Sequence, residues 1–262
     1  MELGLKGTVA FVAGASQGLG KAIALGLARE GCNVALCSRR MDELSKVAEE
    51  IKSTTGSTAV AVPADVTKMD EIDGAIASAV EKLGRLDILV TNGGGPPAGE
   101  FTAQSEEAWR AAFELNLMSV VHLIRTALPY LQKSGRGRII NMTSSSVKEP
   151  VQSLVLSNSL RAGVVGLAKT LSVELASDGI TVNNIAPGRI DTARIRYLDK
   201  ARAQAQGITE EEAKAASLKL IPLGRYGTPE EVANLAVFLA SDKAAYMTGC
   251  TISVDGGMLK GT

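Results

Sequence analysis

The sequence predicts an α/β domain: a parallel sheet of seven strands with helices over both faces. Two observations carry that prediction. Short apolar and β-branched runs alternate along the chain with amphipathic stretches long enough to be helices, which is the rhythm of βαβ units. The short runs are also apolar at nearly every position, as strands are when helices cover the sheet on both sides.

The strands are expected, in order, at residues 8–13, 33–37, 58–62, 86–91, 137–142, 181–185 and 251–254. Helical periodicity fills the gaps at 18–30, 42–54, 70–83, 105–133, 157–177 and 229–240. Residues 193–220 break the rhythm between the sixth and seventh strands. This segment is charged, Ala-rich and interrupted by Gly207, and reads as a helical insertion, a lid over a substrate site. No repeat, low-complexity tract or linker divides residues 1–262, so one domain with a large core is expected.

Composition excludes several function classes. Lys+Arg is 28 and Asp+Glu is 28, and this balance lacks the basic field of a general nucleic-acid or anionic-membrane binder. A small molecule is the expected partner. The three cysteines, Cys32, Cys37 and Cys250, are odd in number and widely scattered, so they predict buried packing and no disulfide framework. No Cys/His cluster implies a metal site. The N-terminus lacks a basic leader before an apolar run, and no apolar run approaches the ~20 residues of a bilayer span. A cytoplasmic location fits these features.

The first strand runs directly into Gly14-Ala15-Ser16-Gln17-Gly18-Leu19-Gly20, and a helix follows. Glycines belong there because the chain turns sharply and its backbone must approach a pyrophosphate. The helix then presents free N–H groups and a positive dipole end to that anion. A glycine motif alone is a weak signal; the strand before it and the helix after it make this one specific.

The spacing G-x3-G-x-G resembles the short-chain dehydrogenase/reductase family, and the resemblance runs along essentially the whole chain. Asp65-Val66 after the third strand matches the family's adenine-binding acid. Thr91-Asn92-Gly93-Gly94 resembles its Asn-Asn-Ala-Gly signature with two substitutions, and Asn116 in Leu115-Asn116-Leu117 matches its active-site Asn. Pro187-Gly188, with Ile190 and Thr192 behind, is similar to its nicotinamide-carboxamide loop. Thr248-Gly249 and Val254-Asp255-Gly256-Gly257 match near the C-terminus. The resemblance implies a doubly wound Rossmann fold and a homotetramer or homodimer paired through the helices at 105–133 and 157–177. It also makes a 3-oxoacyl thioester the default substrate.

In dinucleotide folds an acid about 20 residues past the glycines holds the ribose 2′-hydroxyl of NAD. Here the second strand ends in Ser38-Arg39-Arg40, with no carboxylate. Guanidinium forks suit a phosphate, so NADP(H) is expected over NAD(H).

The catalytic position departs from the family. Its members carry Ser, Tyr and Lys, with Tyr-x3-Lys on the helix after the fifth strand. Alignment on Ala162-Gly163-Val164-Val165-Gly166 places Ser157 at the Tyr position and Arg161 at the Lys position. Tyr130, Tyr197, Tyr226 and Tyr246 each lack a Lys four residues on. Ser144 matches the family's carbonyl-binding Ser. A phenol with a pKa near ~10 can be tuned to exchange protons near neutrality; an aliphatic hydroxyl is a far weaker acid, and each unit costs ~1.4 kcal/mol. Arg161 has five donors for the nicotinamide ribose but stays charged and cannot relay protons.

Three readings stay open at this point. One is a carbonyl reductase in which Asn116, Ser144 and Ser157 orient the substrate, Arg161 stabilises negative charge and water gives the proton. One is a reductase of an activated C=C bond, such as an enoyl or dienoyl thioester. One is a cofactor-binding sensor or partner subunit with little catalysis. Among other residues, His122 and Trp109 read as packing, Lys148 and Glu149 as solvated loop charges, and Tyr197 as a residue that could swing over the substrate.

Overall fold

The first strand, β1 (Val9–Ala13), reads Val-Ala-Phe-Val-Ala and is buried throughout. Side chains alternate across a strand. Ala10 and Val12 therefore join the core beneath α1 (Gly18–Arg29), α2 (Met41–Thr55) and α9 (Pro229–Ala240). Phe11 and Ala13 face the opposite core, beneath α3 (Met69–Leu83), α5 (Ser119–Ser134) and α6 (Val155–Glu174). The remaining strands are β2 (Asn33–Ser38), β3 (Ala59–Pro63), β4 (Ile88–Thr91), β5 (Arg138–Met142), β6 (Thr181–Pro187) and β7 (Thr251–Val254). In the computed structural model, which describes residues 2–261, all pair in parallel in the order β3-β2-β1-β4-β5-β6-β7. The winding reverses between β1 and β4, and ligands of such sheets bind beyond the strand ends at that point.

The expected helix at 105–133 is in fact three pieces. α4 (Glu106–Phe113) and α5 are joined by a π turn at Glu114–Met118. The wider turn accompanies Asn116, whose amide donates to the Gly94 carbonyl at 2.8 Å instead of facing solvent. By length and composition Glu106–Ser134 is apolar enough to cross a bilayer. Here it is a core element, with Val120, Leu123, Ile124, Ala127 and Leu131 buried against the sheet. Residues 193–220 form α7 (Ala193–Gln206) and α8 (Glu210–Leu218). Gly207, at φ 64°, ends the first, and a Thr209–Glu212 capping box starts the second. Cys32 and Cys37 are fully buried, and burial pushes each thiol up to about 12.

Opposite the site, Asp87 anchors the strands' starting ends. It is fully buried and accepts the Val9 N–H at 2.9 Å, three Arg85 bonds at 3.1, 2.8 and 2.6 Å, and the Ser134 hydroxyl at 2.6 Å. Asp87→Ala leaves the buried Val9 N–H unpaired. We expect a loss of about 2–3 kcal/mol in urea unfolding; a change below about 0.5 kcal/mol would show the anchor to be dispensable.

Candidate functional site

A cleft of about 1080 Å³ opens over the ends of β1, β4, β5 and β6. Its first wall is the β1–α1 turn. Gly14 and Gly18 adopt left-handed conformations, at φ 63° and 57°. At Gly14 a Cβ would lie 2.6 Å from Asn92 Nδ2, so packing within the protein demands that glycine. Gly18 differs: among the described residues the only nearby side chain is that of Thr192, whose methyl would lie 3.6 Å from a Cβ, and both residues line the cleft. The turn leaves room for a ligand at its tip. Gln17 is the N-cap of α1 and its side chain caps no N–H, so the helix end offers donors to the cleft. Asn92 Nδ2 donates to the Ala13 carbonyl at 3.2 Å and fixes the distance between the β1 and β4 ends. These residues fit a dinucleotide pyrophosphate.

The end of β2 forms one extremity. Arg40 Nη2 donates to the Ser16 hydroxyl at 3.1 Å, and Ser38 Oγ accepts the Arg40 N–H at 3.2 Å. Arg39 Nη1 stands 3.9 Å from Asp65 Oδ2. Burial raises the Asp65 pKa, but bonds from the Thr67 N–H and hydroxyl, with Arg39 and Lys68 nearby, hold it below its ordinary value. Asp65 therefore stays ionised and turned toward Thr67, at 3.0 and 2.8 Å. Val66 lines the same wall.

The other extremity lies beyond β4 and β5. Ser157 and Arg161 are four residues apart on α6, hence on one face, and both line the cleft while largely buried. Arg161 donates from Nη1 to the Met142 carbonyl at 2.8 Å and from Nη2 to the Gly94 carbonyl at 3.4 Å. It has no carboxylate partner among the described residues. Burial, with a contribution from Arg194, pulls its pKa down to about 10, so it remains a cation at neutral pH. Ser144 also lines the cleft and accepts the Ser146 N–H at 3.1 Å, which leaves its own proton to donate.

The cleft gathers Gly14, Ser16, Gln17, Gly18, Leu19, Ser38, Arg39, Arg40, Asp65, Val66, Asn92, Gly93, Gly94, Pro187, Gly188, Ile190 and Thr192 with Ser144, Ser157 and Arg161. Two expected site residues lie behind its surface. Gly20 packs under the Gly14 carbonyl. Asn116 stands behind the wall, 3% exposed, with its Oδ1 buried and unpartnered.

Sequence reasoning missed Arg194. From α7 it reaches the loop after β4, donates to the Pro96 carbonyl at 2.7 Å and lies against Gly95, where a Cβ would be 2.5 Å from its Cζ. The available signal was the Gly93-Gly94-Gly95 run, with two more glycines than the family signature has. The Arg194 Cζ is 5.3 Å from the Tyr197 ring centroid, and that ring is half exposed. Glu149 accepts the Lys260 N–H at 3.3 Å, and Trp109 packs edge-on against Phe101. His122 lies on α5, with its Nδ1 buried and unpartnered.

A glycine turn at the switch point of a parallel sheet, with a hydroxyl–guanidinium group at the far side of the cleft, defines a dinucleotide-binding domain of the oxidoreductase type. Residues 14–259 match the family model described as enoyl-(acyl carrier protein) reductase, and the chain belongs to the short-chain dehydrogenase/reductase family. It is 37% identical over 252 residues to a D-beta-hydroxybutyrate dehydrogenase of Rhizobium meliloti, covering 95% of this chain and 97% of the relative. It is 39% identical over 252 residues to a 3-oxoacyl-(acyl-carrier-protein) reductase of Staphylococcus epidermidis, covering 95% and 98%. Among solved structures, L-sorbose reductase from Gluconobacter frateurii, complexed with NADPH and L-sorbose, matches at a TM-score of 0.93 and 34% identity, with both chains fully covered. An actinorhodin polyketide ketoreductase with NADPH matches at 0.92 and 33%, covering 96% of this chain and 97% of the other.

The β2 end carries a direct test. Arg39→Asp and Arg40→Asp each place a carboxylate where a 2′-phosphate would lie. Calorimetry should show NADPH affinity falling at least about tenfold, ~1.4 kcal/mol, while NADH affinity holds or rises. An equal fall for both cofactors would rule out a phosphate site there.

Proposed function

We propose that this protein is an NADP(H)-dependent reductase of a carbonyl compound that takes the product's proton from water and not from a tyrosine. The observation that carries the proposal is the cleft's far end: Ser144, Ser157 and a buried, cationic Arg161 face one space across from the phosphate turn. NADP(H) is supported by Ser38, Arg39, Arg40 and Ser16, and by the two solved relatives whose complexes contain NADPH. The relatives' names span a hydroxy acid, a 3-oxoacyl thioester, a sugar and a polyketide. All are alcohol or carbonyl chemistry. A 3-oxoacyl compound is the first substrate to test.

When bound, NADPH would supply the hydride that reduces the carbonyl carbon. The chain's part is to hold that carbonyl and to stabilise the charge that grows on its oxygen. Ser144 donates to the oxygen. Ser157 is a second, shorter donor on the wall of the same cleft, through which water would reach the substrate oxygen. Arg161 is clamped by two backbone carbonyls and retains its proton, so it stabilises an oxyanion without supplying the proton itself. Asn116 supports the Gly94 carbonyl that Arg161 also uses, and so positions the guanidinium.

Steady-state NADPH oxidation with 3-oxoacyl thioesters, ketones and sugars tests the proposal. Turnover with at least one carbonyl is expected, and Ser144→Ala should lower kcat by about a hundredfold. None of Ser144, Ser157 or Arg161 titrates between pH ~6.5 and ~9, and the Arg161 value of about 10 leaves it charged throughout. The kcat profile should therefore be flat across that range. Tight NADPH binding without turnover on any carbonyl would overturn the reductase reading, with reduction of an enoyl thioester instead favouring C=C chemistry.

A further inference from the structure

Arg161 and Arg194 raise an electrostatic problem that the reductase reading does not solve. Both guanidiniums line the same end of the cleft and bond only backbone carbonyls, those of Met142, Gly94 and Pro96. Gly94 and Pro96 are two residues apart on one loop, and each arginine is largely withdrawn from water. Burial lowers the pKa of both, and the Arg194 charge lowers that of Arg161 further. Like charges at one end of a cleft, one buried and one half-buried, are unfavourable without a counter-charge. The chain does not supply one among the described residues. Asp191 is paired with Arg196 at 2.6 Å, and Asp199 with Arg189 at 3.1 Å. Glu230 lines the cleft from the first turn of α9 and is bonded to neither guanidinium.

The cofactor's own phosphates are not placed to serve. The pyrophosphate turn is at the end of β1 and the 2′-phosphate group at the end of β2. The arginine pair stands beyond β4 and β5, one and two strands further along the sheet in the opposite direction from β2, which is about 5–10 Å past the turn. Arg194 is also turned away from the turn, onto Gly95 and Pro96.

We infer that the substrate brings the anion: it is a short oxo acid whose free carboxylate is held by Arg194 and Arg161 while its carbonyl lies at Ser144 and Ser157. Guanidinium forks match a carboxylate in two-point geometry. The rest of this end is apolar, lined by Ala111, Leu115, Leu154, Ile195 and Leu198, and suits a short alkyl chain. A thioester of the same acyl group lacks the charge that the arginines call for. The inference rests on the reductase reading for the position of the carbonyl, and it narrows the 3-oxoacyl class to the free acid.

The test is calorimetry on the protein saturated with NADP⁺, in which no reduction occurs. Acetoacetate is compared with methyl acetoacetate and with the N-acetylcysteamine thioester of the same acid. Acetoacetate should bind at least about tenfold more tightly than either neutral form. Arg194→Gln should bring the acid down to the level of the ester and leave ester and NADP⁺ affinities unchanged, and Arg194→Lys should restore part of the preference. Equal affinity for acid and ester in the parent protein overturns the inference, as does failure of the acid to bind at millimolar concentration. Loss of NADP⁺ affinity in Arg194→Gln would make Arg194 a cofactor contact and also overturn it. The parent comparison decides the matter even if the variant does not fold. Selective binding of the acid with no turnover of any carbonyl would sink the reductase reading alone.

Discussion

The parallel sheet sends the C-terminal ends of all seven strands to one edge, and the cleft opens on that edge as a consequence. A strand end is a poor place to leave a backbone. Its last carbonyls have no partner strand beyond them, and burial without a hydrogen bond is costly. At this edge side chains answer that demand. Asn92 takes up the Ala13 carbonyl, Asn116 the Gly94 carbonyl, Arg161 those of Met142 and Gly94, and Arg194 that of Pro96. The side chains gathered at the cleft are thus also the ones that close the ends of the sheet, and this is why the cleft holds its shape with few charged pairs inside it.

Much of this organisation was legible in the sequence. The seven strands fall within two residues of their expected ends, because β1, β2 and their neighbours are buried on both faces and their apolar runs are unbroken. The glycine turn was legible for a related reason: Gly14 and Gly18 both take left-handed backbone conformations, a local demand of the turn that favours glycine. What escaped is what depends on distant chain segments. Hydrophobic spacing at 105–133 does not distinguish a continuous helix from one with a π turn at Glu114–Met118, since the extra residue falls in the run Leu115-Asn116-Leu117-Met118, where apolar residues lie on several sides and mask the shift of the pattern. Arg194 lies in a segment whose charge looks solvated. Its burial comes from Gly95, 99 residues earlier, and no local pattern in α7 records that contact.

The exchange at Ser157 and Arg161 alters the chemistry in a consistent direction. A phenol beside an ammonium forms a pair in which both members can exchange protons near neutrality. A hydroxyl beside a guanidinium forms a pair in which neither does. Protonation equilibrium is given up and a permanent positive charge is gained, clamped between two carbonyl dipoles. An ammonium would not replace it there. Its three donors radiate from one point and its pKa falls readily on burial, whereas the planar guanidinium spans the Met142 and Gly94 carbonyls and keeps its proton at about 10.

A fixed charge of this kind has a thermodynamic consequence for the cleft. Arg161 and Arg194 meet no carboxylate among the described residues, only carbonyl dipoles and, for Arg194, the Tyr197 ring, an electrostatic strain that the fold tolerates because the Asp87 anchor and the two apolar cores stabilise the sheet elsewhere. Any negative charge entering the cleft relieves that strain, and the relief grows as water is excluded. An oxyanion forming at Ser144 and Ser157 gains from it, since a full charge develops where the substrate had a dipole. In the proposed reduction these same cations would therefore favour the transition state over the ground state of a neutral carbonyl.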